Sequence, residues 1–317
     1  MKLNASKLFM KLKAQHELRK MKAEILINAV RSGNFDGIID TVKYHKGLES
    51  IRKGELHITD YCAKEAGKMI GVPAFGTTCH VCESCQRNIL AAIEAQDLNC
   101  PCLHCYSSLG TVYDFDALHL IVNHDRLQEY IPENELKDLA KHAVKIATSA
   151  HKIEGITYEQ SMAVRIQHKG DVDSVIEVLN YFRFAKLVKD INPNVNVTAY
   201  TKFPETYAKA MHHFPDEANK DVLRIGYSCY KMGKEGIEET KNIRGMFPFI
   251  DFAFIVYEWE NGTKDHTNEE NTEYIENNFS ELVNTAYAAC KCGKGSCGKC
   301  KICYHASEFT IVFEECR

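Results

Sequence analysis

Four short apolar segments, each followed by a stretch that reads as a helix or an exposed connection, recur through the second half of the chain. They are Ala163–His168, Asn196–Tyr200, Val222–Ser228 and Ile250–Tyr257. Their starts lie roughly 30 residues apart, the length of one βα unit. Between them, Asp173 to about Lys189, residues 204–213 and Gly236 to Arg244 have helical spacing, with Asp173 as N-cap of the first. Apolar strands joined by crossover helices must lie parallel in a sheet with helices on it. The expected class is therefore α/β, with repeated βα units forming a partial barrel or an open parallel sheet. Ligands in such folds meet the C-terminal ends of the strands.

Ahead of these units the chain reads as helical. Residues 3–30 carry Leu3, Leu8, Met10, Leu12, Leu18, Met21, Ile25 and Leu26 at helical spacing, and residues 36–53 form a second stretch. Residues 56–78 are broken up by Gly67, Gly71, Pro73 and Gly76. Residues 86–97, 115–130 and 134–151 read as three further helices. The expected organisation is a basic helical segment over 1–55, an α/β domain over 56–305 and a C-terminal tail over 306–317. Net charge is -4, so no global basic field announces nucleic acid. The first 53 residues are basic and suit either a nucleic-acid or partner-binding arm or a solvated helix face. Lys2, Lys7 and Lys11 interrupt any secretory apolar run, and no stretch suits a membrane span. A cytoplasmic protein without a membrane partner is expected.

Eleven of the 14 cysteines gather in two clusters. The first is Cys79, Cys82, Cys85, Cys100, Cys102 and Cys105. The second is Cys290, Cys292, Cys297, Cys300 and Cys303. In a reducing compartment, clustered thiols are metal ligands rather than disulfides. Cys79 and Cys82, or Cys82 and Cys85, pair with Cys102 and Cys105 at the spacing of a zinc ribbon. Cys297, Cys300 and Cys303 repeat the spacing that wraps a [4Fe–4S] cluster, although Tyr304 and His305 stand where the ferredoxin run has Cys-Pro. All eleven are candidate metal ligands, for [4Fe–4S] clusters or, alternatively, for zinc. Cys102, Cys105 and Tyr106 also bring to mind radical S-adenosylmethionine enzymes, whose strict C-x3-C-x2-C triplet this chain lacks.

Thr77-Thr-Cys79, Cys102-Leu-His-Cys105-Tyr106, Val164 through Asp171, Val197 through Thr201, and the terminal Cys297, Cys300, Cys303 and Tyr304 resemble the phage gene product 88 family. The likeness covers about residues 60–305. It implies a phage or prophage iron–sulfur protein of radical-S-adenosylmethionine-like character. In the first cysteine loop this chain carries the extra thiols Cys82, Cys85 and Cys100.

The resemblance makes Gly170 and Asp171 expected cofactor contacts, with S-adenosylmethionine as the small-molecule cofactor, and Tyr200 and Ser228 join them because they end strands where βα proteins place ligand contacts. Gly170 would allow close backbone approach and Asp171 would accept from an amine, although Asp171 or Asp173 equally suits an N-cap. His168, Thr201 and Cys229 share these strand ends. There is no Walker loop, dinucleotide fingerprint or serine nucleophile elbow. His212 and His213 are adjacent and do not face one way on a helix. Two functions compete. One is an iron–sulfur enzyme of radical-S-adenosylmethionine type acting on an unnamed substrate, a nucleotide or nucleic acid being suggested by phage context. The other is a non-catalytic, zinc-stapled module binding nucleic acid or protein. A two-cluster redox carrier is a third reading, for which a large βα core is unnecessary.

Overall fold

The computed structural model describes residues 5–34, 71–77, 83–96, 116–167, 170–257, 273, 277, 287–290 and 310–314. In chain order the helices are α1 Ala5–Ser32, α2 Glu83–Glu94, α3 Asp116–Leu127, α4 Glu133–Ser149, α5 Tyr158–Ser161, α6 Val175–Ile191, α7 Pro204–His213 and α8 Gly233–Met246. The strands are β1 Ala74–Phe75, β2 Ala163–Ile166, β3 Asn196–Thr201, β4 Leu223–Met232, β5 Phe252–Tyr257, β6 Tyr287–Cys290 and β7 Thr310–Glu314. The expected helix over 36–53 lies outside the described residues. Among the described residues no helix is long and apolar enough to cross a membrane.

The chain divides into two compact units. One comprises Met1–Thr59, Phe75–Ile131 and Gln167–Glu177, and the other comprises Asp60–Ala74, Pro132–Ile166 and Val178–Arg317. In the first unit α1 packs against α2 and α3. Ala23, Leu26, Ala29 and Val30 of α1 are buried, as are Ile89 and Ala92 of α2 and Leu120, Ile121 and Leu127 of α3. Their three- and four-residue spacing gives each helix one apolar face, and burying that face is what stabilises it. Arg31 closes the end of α1 by a two-pronged pair with Asp125, at 2.9 and 2.7 Å.

The second unit is built on a sheet of strand order β1-β2-β3-β4-β5-β7-β6. The pairs from β2 through β6 are parallel. The chain passes from this unit into the first within β1. The α/β class and parallel sheet expected from the sequence are therefore present. Two faces separate cleanly along the strands. Val164, Ile166, Val197, Ala199, Leu223, Ile225, Tyr227, Ala253 and Ile255 stand on one face and are all buried. Helix α8 packs against β4 and β5, with Gly236 so close that a Cβ there would lie 2.9 Å from Ile255 Cγ2. Helix α4 packs near β2 through a face of Leu136, Leu139, Ala140, Ala143, Val144 and Ala147.

Three strands were not anticipated. Strand β1 sits in the segment read as broken by glycine and proline. Strand β6 ends at Cys290, and β7 lies in the segment read as a C-terminal tail, yet it occupies the sheet between β5 and β6. The cap of α6 is also corrected. Ser174 Oγ accepts from the backbone N–H of Glu177 at 3.1 Å, while the Glu177 carboxylate reaches back to the N–H of Asp173 at 2.9 Å. This is a capping box on Ser174 shifted by one residue, and it leaves the Asp173 side chain for another task.

Candidate functional site

Residues at the C-terminal ends of β1 and β2 meet within the first unit. Gly170, at φ +76, packs directly against Thr77, the residue two positions before Cys79. A Cβ at 170 would strike Thr77 Oγ1 and approach its carbonyl oxygen to 2.7 Å. Only glycine satisfies both the left-handed backbone and this approach. Thr77 Oγ1 is fully buried with no hydrogen-bond partner among the described residues. Beside it, Asn123 Nδ2 donates to the Gly76 carbonyl at 3.2 Å. Asp171 is buried, and its Oδ1 accepts from the N–H of Val172 at 2.8 Å, so that oxygen braces the turn after β2.

Three residues beyond Gly170, Asp173 enters a charged network that fastens this turn to α1 and α3. His124 Nε2 lies 3.1 Å from Asp173 Oδ2, and His124 Nδ1 lies 3.1 Å from Asp125 Oδ1. Both partners are carboxylates, so both ring nitrogens must donate and the ring is an imidazolium. Burial opposes this charge, but the bonds to Asp125 and Asp173 outweigh it and raise the pKa to about 9. Asp125 shows the reverse balance. Burial opposes its charge, while Arg31 and His124 hold it down at about 2. Gln128 Nε2 donates to the fully buried Glu177 at 3.1 Å, linking α3 to the start of α6. This network borders a cleft of about 500 Å³ whose other walls include Lys20, Glu24, Gln86 and Leu90.

In the second unit Tyr200 and Ser228 lie on neighbouring strands and on the same sheet face. Tyr200 is buried among aromatic rings, 5.5 Å from Phe252 and 5.0 Å from Phe254, with the Arg165 guanidinium 4.2 Å over its ring. Ser228 is half-buried, in register with Phe254. On the opposite face, the Glu239 carboxylate accepts from the Tyr227 hydroxyl and from the N–H groups of Tyr230 and Lys231, at 2.8 and 3.0 Å for the latter two. These bonds pin α8 back onto the end of β4. Burial, and then Glu239, push the Tyr227 phenol far above its ordinary range. Burial pushes the Cys229 thiol up to about 12, and its sulfur lies 2.8 Å from Thr240 Oγ1. Cys229 is therefore a neutral, hydrogen-bonded core residue and not a nucleophile.

Of the expected metal ligands, Cys79, Cys82, Cys100, Cys102, Cys105, Cys292, Cys297, Cys300 and Cys303 lie outside the described residues, as does His168. Cys85 falls in α2, and Cys290 is the last residue of β6. Among the described residues no group of three or more His, Cys, Asp or Glu is placed to hold a metal ion. As a donor set, the eleven thiols fit iron–sulfur clusters or zinc equally in kind. Sequence reasoning missed the His124 network, because its members lie far apart in the chain and Asp173 looked like a cap. Compared with protein-family models, curated proteins and solved structures, the chain shows no match.

Proposed function

We propose that this chain is an iron–sulfur enzyme of the radical S-adenosylmethionine type, allied to the phage gene product 88 family and acting in the cytoplasm. The observation that carries the reading is topological. Strand β1 ends at Phe75, four residues before Cys79, and Cys290 is the final residue of β6. Each cysteine segment thus follows the C-terminal end of a strand in a parallel sheet, where folds of this class place their chemistry. Gly170 and Thr77 add a close-packed junction next in the chain to the first segment, with a buried hydroxyl that has no hydrogen-bond partner among the described residues. When bound, a reduced [4Fe–4S] cluster supplies the electron that cleaves S-adenosylmethionine and starts hydrogen abstraction from substrate. The chain's own residues hold the surrounding turns in place. Glycine at 170 admits the backbone before Cys79, Asp171 fixes the turn, and the His124–Asp173 pair ties that turn to α3.

The zinc-stapled reading rests on the ribbon-like spacing of Cys79 and Cys82 with Cys102 and Cys105. It would give the basic residues of α1 the binding role, toward nucleic acid or protein. The two readings part on one assay. Oxygen-free protein, incubated with dithionite and S-adenosylmethionine, is expected to release 5′-deoxyadenosine, and Cys102→Ala with Cys105→Ala is expected to abolish release. A protein that releases none, yet binds nucleic acid with a steep salt dependence, would be the zinc-stapled module.

A further inference from the structure

Helix α1 carries two apolar faces, and the first unit buries one of them. Phe9, Ala23, Leu26 and Val30 are buried on the side that packs against α2 and α3. At 3.6 residues per turn, Met10, Ala14, Leu18, Met21 and Ile25 fall on the opposite side. All five are exposed, Met10 by 67%, Leu18 by 50%, Met21 by 60% and Ile25 by 47%. They form a stripe roughly 22 Å long at 1.5 Å per residue. Single exposed apolar side chains need no explanation, but a continuous stripe marks a surface made for contact.

The charges beside the stripe say what covers it. Lys13, Glu17, Lys20 and Glu24 line one edge, and all four are exposed. None of them has a side-chain hydrogen bond or ion pair among the described residues. Along the helix they read positive, negative, positive, negative. Run backwards they read negative, positive, negative, positive, so the edge complements itself in an antiparallel pair.

The register of such a pair follows from the sequence. With the two-fold axis crossing α1 between positions 18 and 19, each edge faces the same edge of the other copy. Lys13 then stands level with the partner's Glu24, and Glu17 with the partner's Lys20. The two-fold repeats both pairs. In the same register the partner's Ile25, the partner's Met21 and the partner's Leu18 fall between Met10, Ala14, Leu18 and Met21 along the stripe. One register therefore matches charge to charge and seats apolar side chains between one another, as packed helices require. A parallel pair would set Lys11 and Lys13 of both copies at one level, like charge beside like charge.

We propose that α1 is a self-association surface, on which a second copy of this chain docks its own α1 antiparallel. Burial of the stripe supplies the attraction. Exposed ion pairs are each worth little, so the charges act by fixing direction and register. One pair of helices is small for a protein interface, and the dimer is expected to dissociate on dilution. The inference rests on α1 alone and holds for either reading of the cysteine segments.

The test is sedimentation velocity of the full-length protein, purified without oxygen, over a range of concentrations. A mass rising from one chain to two is expected, with the dissociation constant raised at least tenfold by Leu18→Glu combined with Met21→Glu. Both side chains are exposed, so this variant is expected to keep its fold, as checked by circular dichroism. Glu17→Lys with Glu24→Lys is expected to weaken the dimer, and adding Lys13→Glu and Lys20→Glu to that variant is expected to restore it. Direction is read by zero-length carbodiimide cross-linking and peptide mass spectrometry. Lys13 and Glu24 lie roughly 16 Å apart along one helix, too far to join within a chain, so a link between them marks the antiparallel pair. A single-chain mass at every concentration, a dimer indifferent to Leu18→Glu with Met21→Glu, or a dimer lacking the Lys13–Glu24 link overturns the proposal. Binding of nucleic acid or anionic vesicles by a chain that stays single overturns it equally and gives the stripe to that partner.

Discussion

His124 sits between two carboxylates, and that placement sets how the first unit responds to pH. Its pKa is raised from 6.5 to about 9, so its contribution is fully present below pH 6.5 and lost as pH rises through about 9. Asp125 is lowered from 3.8 to about 2, so its contribution is present above pH 3.8 and lost as pH falls through about 2. Both act together between about pH 4 and 6.5. Wild type is expected to lose up to about 3 kcal/mol between pH 6 and 9.5 that His124→Gln does not lose. Urea unfolding of both proteins at the two values checks this, and parallel pH profiles would contradict it. Gly170 makes a second residue-scale prediction. Gly170→Ala adds strain at φ +76 and a clash with Thr77, and is expected to cost roughly 2–3 kcal/mol. Because Thr77 precedes Cys79, the same variant is expected to lower metal content per folded chain, read by elemental analysis.

At the scale of elements, α8 depends on one carboxylate. Glu239→Ala leaves the Tyr227 hydroxyl and the N–H groups of Tyr230 and Lys231 without that acceptor. A loss of at least about 2 kcal/mol is expected by urea unfolding. The strands β2 to β5 were legible in the sequence because each is an apolar run, the first three followed by helical spacing and the last by an acidic, exposed stretch. Strand β4 runs on to Met232, where α8 begins without a loop, so its end carried no turn signal. Strand β1 is two residues after a proline, too short for any periodic pattern. Strand β6 merges into the second cysteine cluster, where the thiols drew the reading toward metal. Strand β7, Thr310–Glu314, has strand-forming composition, but its partners β5 and β6 are named only by the fold.

For the whole molecule, the sheet gives the C-terminal residues a structural task. Strand β7 pairs with β5 on one side and β6 on the other. Ending the chain after His305 removes it and leaves two strand edges unpaired in the sheet. Such a chain is expected to aggregate or to lose its cooperative unfolding transition, as read by size-exclusion chromatography and thermal melting. The central claim is that the cysteine segments following β1 and β6 hold iron–sulfur clusters for an enzyme. The most direct measurement is iron, acid-labile sulfide and zinc per chain in protein purified without oxygen, with the visible spectrum taken before and after dithionite. Matching iron and sulfide, with a broad brown absorbance that bleaches on reduction, is the predicted result. About two zincs per chain, no sulfide and a colourless sample would contradict it.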